Sequence, residues 1–184
     1  MKILCFGDSN TYGYDPRSYF GGRYEAAERW VDLLAQKLDG QAVNAGENGR
    51  EIPRRAQEWA TFGQLLNRER PDWLLILLGS NDLLQGNPVK TVVERMERFL
   101  QQMELEKSKI LLLVPPPMAW GDWVTEQSLI DASQALNGAY QDLAERLAVR
   151  FVDVGKIPLC FDGVHFTAEG HRLFAERLYQ EWNA

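Results

Sequence analysis

Two periods alternate along this chain. Short apolar runs at 3–6, 42–45, 74–78, 110–114 and 151–154 have the length of β-strands and are bounded by glycine, proline or polar clusters. Between them, apolar residues recur every three or four positions: Val92, Met96, Phe99 and Met103; Leu129, Leu136, Tyr140, Leu143 and Leu147; Phe174, Leu178 and Trp182. Such stripes mark helices with one face turned to a core. The runs Leu74-Leu75-Ile76-Leu77-Leu78 and Ile110-Leu111-Leu112-Leu113-Val114 are apolar without alternation, which places them in the middle of a sheet covered on both faces. The pattern predicts an α/β fold with five parallel strands in one sheet, joined by crossover helices on both faces. Asn87 is the expected N-cap of the helix that follows it, with Pro88 at the first helical position, and Thr167 the expected N-cap of the last helix. No repeat or linker divides residues 1–184, so one domain is expected.

A parallel sheet puts the loops after its strands on one rim, where ligands of open α/β sheets bind. Small polar residues cluster in those loops. They are Gly7-Asp8-Ser9-Asn10-Thr11 after the first strand, Gly46-Glu47-Asn48-Gly49 after the second, Gly79-Ser80-Asn81-Asp82 after the third and Asp162-Gly163-Val164-His165 after the fifth.

Composition narrows the partners. The chain has 184 residues, 20 Lys and Arg against 26 Asp and Glu, and a formal net charge of -6. Its densest cations, Arg54-Arg55 and Arg68 with Arg70, are interleaved with acidic or apolar residues, so neither nucleic acid nor an anionic membrane is the expected partner. The apolar start at 3–6 is broken at once by Gly7-Asp8-Ser9-Asn10 and is too short for a signal peptide, and no later run is long enough to span a bilayer. The two cysteines, Cys5 and Cys160, make no disulfide framework, and the cytoplasm is the expected compartment. Oligomeric state is not legible, and a homo-oligomer stays open.

A serine hydroxyl needs a base to act as a nucleophile, and histidine is the usual one near neutral pH. Of the two histidines, His165 has Asp162 three residues before it, so a turn can fold the carboxylate onto the ring; His171 lies in the final helix without such a partner. An ester-cleaving site also needs donors for the developing oxyanion, and the Ser9 and Gly49 backbone N–H groups and the Asn81 amide are candidates, with Gly46 a rival to Gly49. Asp8 and Asp82 read as structural. Asn10, Met118, Trp120 and Trp123 are the candidate pocket residues, the last three because they follow the triple proline 115–117 near the rim.

Together, Gly7-Asp8-Ser9, Gly49, Asn81 and Asp162 with His165 resemble the four blocks of the SGNH, or GDSL-type, serine hydrolases, in order and over nearly the whole chain. The resemblance implies a three-layer flavodoxin-like fold and an esterase or acyltransferase without metal or cofactor, acting on a small-molecule ester. It makes Ser9 the nucleophile, His165 the base, Asp162 its orienting partner, and Ser9, Gly49 and Asn81 the oxyanion hole. The strand leading to Ser9, the triple proline and the Asp162–Thr167 stretch look like the arylesterase and acyltransferase branch. The chain departs from the family where Asn10 follows the serine, a place often held by Leu, and where Asn48-Gly49 replaces a Ser-Gly pair. Short loops favour short acyl chains, with carbohydrate O-acetyl esters and thioesters as alternatives. Two readings of another kind remain. One is a metal-dependent phosphoesterase using Asp8, Asn81, Asp82 and His165, for which two histidines are few. The other is a binding module holding phosphate at Ser9-Asn10-Thr11.

Overall fold

The computed structural model describes residues 1–182. Its five strands are β1 (Lys2–Gly7), β2 (Gln41–Gly46), β3 (Trp73–Leu77), β4 (Ile110–Leu113) and β5 (Arg150–Val152), all parallel, in the order β2-β1-β3-β4-β5. The helices are α1 (Ser9–Tyr12), α2 (Trp30–Lys37), α3 (Ala56–Glu69), α4 (Ser80–Leu84), α5 (Val89–Gln101), α6 (Gln127–Leu147) and α7 (Ala168–Trp182).

Neighbouring strand residues point to opposite faces, and the two faces carry separate cores. Leu4, Phe6, Leu74, Ile76 and Leu112 pack on one side with Phe62 of α3, Val92, Met96 and Phe99 of α5, and Leu136, Tyr140 and Leu143 of α6. Ile3, Cys5, Leu75, Leu77 and Leu111 pack on the other with Trp30, Val31 and Leu34 of α2, and Phe174 and Leu178 of α7. The three stripes seen in the sequence are these core-facing sides. Thr167 caps α7, its hydroxyl accepting the Gly170 N–H at 2.9 Å.

The other strand ends lie within one residue of the expectation, and two further differences have a visible cause. β5 ends at Val152 rather than 154, because the Asp153 carboxylate accepts the Gly155 N–H at 2.7 Å and folds the chain into a side-chain-closed turn. Pro88, with extended backbone, is the N-cap of α5 in place of Asn87. The Asn87 amide is used elsewhere, donating to the Asp82 carbonyl at 2.8 Å and accepting from Arg95 at 2.8 Å.

The chain order places β2 on one side of β1 and β3 on the other. The loops after β1, β2 and β3 therefore meet where the winding direction reverses, the place at which doubly wound sheets form their clefts.

Candidate active site

At the end of β1, backbone and side chains approach so closely that Gly7 has no room for a side chain. A Cβ there would lie 2.0 Å from the Thr11 hydroxyl and 2.8 Å from the Leu77 carbonyl. The next residue, Asp8, is the N-cap of α1 and accepts the Asn10 N–H at 2.9 Å. Ser9 thus opens a single helical turn, where its own N–H has no intrahelical acceptor. Asp8 is buried, and loss of water raises its carboxyl to about 6, against the opposing pull of the Asn10 N–H and of the His165 and Arg50 side chains.

His165 reaches Ser9 from the loop after β5. Its Nε2 lies 2.9 Å from the Ser9 Oγ, and its Nδ1 lies 2.6 Å from Oδ2 of Asp162. Oδ1 of Asp162 accepts the backbone N–H groups of Val164 and His165, both at 2.9 Å. Burial alone would raise the Asp162 carboxyl. The hydrogen bonds from the His165 ring and from the two backbone N–H groups outweigh it and hold the group below the usual carboxylate range. All three side chains are buried, which strengthens their mutual electrostatics. Gly163, at φ +79°, completes the turn; a Cβ there would strike the Ala119 carbonyl at 2.0 Å.

Asn10 was expected in the pocket and is instead a clamp. Its Nδ2 donates to the Val164 carbonyl at 3.1 Å and its Oδ1 accepts the Phe166 N–H at 2.9 Å, so the amide brackets His165 from both sides. It is 5% exposed and its polar atoms are committed.

The expected oxyanion donors lie in linked segments. Residues 47–50 form a turn closed by the Arg50 N–H to the Glu47 carbonyl at 3.2 Å, with Gly49 at φ +74°, a conformation glycine adopts without strain. The Gly46 N–H is taken by Oδ1 of Asn44 at 3.0 Å, and a Cβ on Gly46 would lie 2.0 Å from the Tyr12 nitrogen. Gly46 therefore serves the close approach of α1 to β2, and its donor is already engaged. Arg50 ties the turn to the sheet, donating to the Gly7 carbonyl at 2.8 Å and to the Ala45 carbonyl, with its guanidinium 4.2 Å from the centre of the Phe6 ring. The Asn81 Nδ2 donates to the Arg50 carbonyl at 3.1 Å, which orients the amide and leaves its second N–H for another acceptor.

Of the expected pocket residues, Trp123 reaches the site. Its ring meets the edge of His165 at 4.9 Å between centres, and Tyr14, which the sequence reading did not single out, meets it at 4.8 Å. Trp123 also lines a hollow of about 360 Å³ with Leu83, Leu84, Asn87, Leu129 and Ala132. Met118 and Trp120 do not belong with them. Met118 is buried and Trp120 exposed, and both line a separate hollow of about 460 Å³ with Ile130, Lys156 and Cys160; neither this hollow nor the one beside Trp123 is bordered by Ser9 or His165, and only Trp123 of the three touches the histidine ring.

The family model of the GDSL-like lipase/acylhydrolases matches residues 5–173. The chain belongs to that family. Among curated relatives, it is 26% identical over 166 residues to the thioesterase 1/protease 1/lysophospholipase L1 of Escherichia coli K12, covering 89% of this chain and 68% of that protein. It is 28% identical over 120 residues to an arylesterase of Vibrio mimicus, covering 62% and 56%. Among solved structures, a carbohydrate acetylesterase family member from Sinorhizobium meliloti superposes with a TM-score of 0.84 at 26% identity, covering 99% of this chain and 97% of the other. The native aryl esterase of Mycobacterium smegmatis shares the fold with a TM-score of 0.84 at 24% identity, covering 99% and 98%. This GDSL-family chain is a carboxylic ester hydrolase. Among its described residues, no helix is long and apolar enough to cross a membrane.

Proposed function

We propose that this enzyme cleaves short-chain carboxylic esters through an acyl-enzyme on Ser9. The observation that carries the reading is the unbroken relay from the Ser9 Oγ to His165 at 2.9 Å and from His165 to Asp162 at 2.6 Å. His165 Nε2 takes the hydroxyl proton as Oγ bonds to the ester carbon, and the carbonyl π electrons move onto oxygen. The Ser9 and Gly49 N–H groups and the free N–H of Asn81 stabilise that oxyanion. Collapse breaks the bond to the alcohol, which leaves with the proton from the imidazolium. Water, or a second alcohol in acyl transfer, then enters by the same route in reverse.

The short loops around Ser9 and His165 leave little to cover a long chain, which supports acetyl-sized to short acyl esters of compact alcohols, aryl or sugar, over long lipids. Two free thiols fit a reducing compartment. The metal-dependent alternative finds little support: Asp82 is held by Arg95 and the Ile52 N–H, Asp8 by the Asn10 N–H, Asn81 by the Arg50 carbonyl and His165 by Asp162 and Ser9, so the four side chains named for it face different partners.

The test is turnover of p-nitrophenyl esters of rising chain length and of acetylated sugars, with and without a competing alcohol, by the wild type and by Ser9→Ala. The expected result is turnover highest at short chains and lost in the variant, with the fold retained. Ester turnover surviving in Ser9→Ala would refute the nucleophile.

A further inference from the structure

Gly49 has no side chain to anchor it, and nothing outside its chain neighbours lies within 4 Å of where a Cβ would stand. Its position depends on the three residues that follow; Arg50 holds to the sheet through its side chain and Arg54 pairs with Glu51 at 2.8 Å, and all three residues are also met by residues of α4 and α5. The Arg50 carbonyl accepts from Asn81 at 3.1 Å, the Glu51 carboxylate accepts from Arg95 at 3.1 Å, and the Ile52 N–H donates to Asp82 at 3.0 Å. Arg95 connects these anchors. Its Nη1 also donates to Asp82 at 2.7 Å and its Nη2 to the Asn87 Oδ1 at 2.8 Å. Asp82 is fully buried and directly follows Asn81. Arg95 stands on α5, whose Val92, Met96 and Phe99 are seated in the core, so the guanidinium is presented by a rigid element.

We propose that Arg95 is a positioning residue for the oxyanion donors, acting through Asp82 and Glu51 to set the 49–52 segment against α4. The inference rests on reading Gly49 and Asn81 as those donors. One planar guanidinium meeting two carboxylates and an amide is a geometry that lysine, a single point charge, does not reproduce. Displacing two donors together weakens an interaction made chiefly in the transition state, so the loss falls on kcat rather than on ester binding.

The experiment compares wild type, Arg95→Met and Arg95→Lys on p-nitrophenyl acetate, with rates expressed per active site titrated by a fluorophosphonate. Phenylboronic acid, which adds to a serine as a tetrahedral anion, serves as the probe of the oxyanion site. Arg95→Met is expected to lose on the order of 10- to 100-fold in kcat, with KM within about twofold, and to raise the boronic acid Ki by a similar factor. Arg95→Lys is expected to fall between the two. Reduced stability alone would lower the titrated sites and leave the rate per site and the Ki unchanged, and that result overturns the proposal. If Arg95→Met does not fold, Asp82→Asn is read in the same way: lower kcat with higher Ki supports the role, and unchanged values reject it. Ser9→Ala, assayed alongside, separates the two levels, since turnover surviving there refutes the mechanism itself rather than the part of Arg95.

Discussion

Asp162 holds His165 twice, through its ring and through its backbone. One carboxylate oxygen lies 2.6 Å from Nδ1 and the other accepts the histidine's own N–H at 2.9 Å. The carboxylate thus fixes the tautomer and the loop together. In Asp162→Asn the amide can keep the backbone bonds through its oxygen, but it then offers an N–H to Nδ1. The ring must accept there and carry its proton on Nε2, where Ser9 needs an acceptor. The expected loss in kcat on p-nitrophenyl acetate is on the order of 10³- to 10⁴-fold, with the circular dichroism spectrum unchanged. A variant within about threefold of wild type would show that the carboxylate orients nothing the reaction uses.

Asn10 gives the second prediction. Replacing it with leucine removes the bonds to the Val164 carbonyl and the Phe166 N–H and leaves both backbone groups without this partner in a buried place. The expected cost is about 1–3 kcal/mol of unfolding free energy in urea, together with a lower kcat as His165 loosens. Equal stability and equal kcat would mean that the amide bracket is redundant.

Much of this architecture was legible because it follows from short-range pattern. The five strands, the stripes of α5, α6 and α7, and the placing of Ser9, Asn81 and His165 after strands all follow from apolar period and chain order. Elements without a long apolar stripe gave no such signal: Phe62 is the one buried residue of α3, and α1 and α4 are single turns whose buried residues are mostly polar. Side-chain partners across the sheet were harder. Asn10 was expected in the pocket, yet its side-chain bonds run to residues about 155 positions away. Tyr14, Arg50 and Arg95 carry no motif, and their parts come from long-range packing that a one-dimensional reading does not hold.

His171 makes stability depend on pH with a definite sign. It is fully buried, its Nδ1 accepts the Trp30 N–H at 3.4 Å, and the Tyr24 and Phe166 rings meet it in T-shaped contacts at 5.1 and 5.3 Å between centres. Loss of water, with Arg29 and His165 adding positive charge, lowers its pKa to about 3. In the range between that value and the ordinary one, the unfolded chain binds the proton and the folded chain does not, so stability falls as pH falls. Asp8 has the opposite sign. Raised to about 6, it contributes stability at low pH that is lost as pH rises through that value. Comparing wild type with His171→Gln cancels the Asp8 contribution. Between about pH 7 and pH 5, wild type is expected to lose roughly 2 kcal/mol more than the variant by urea unfolding. Identical slopes would mean that His171 titrates alike in both states.

Trp123 gives a prediction about selectivity. Its ring edges His165 and also walls the small hollow formed with Leu83, Leu84, Leu129 and Ala132, while about half of it stays in solvent. Truncation to alanine therefore enlarges the hollow without emptying the core. An acyl chain laid from Ser9 past His165 and along Trp123 would gain the space the ring vacates, so on that placement kcat/KM for p-nitrophenyl octanoate relative to the acetate should rise. A gain of roughly 10-fold corresponds to two or so additional methylenes finding apolar contact at about 0.8 kcal/mol each. The acetate rate itself is expected to fall, because the ring no longer supports the imidazole. A chain-length profile that keeps its shape, whatever the absolute rates, would place the acyl group elsewhere on the rim.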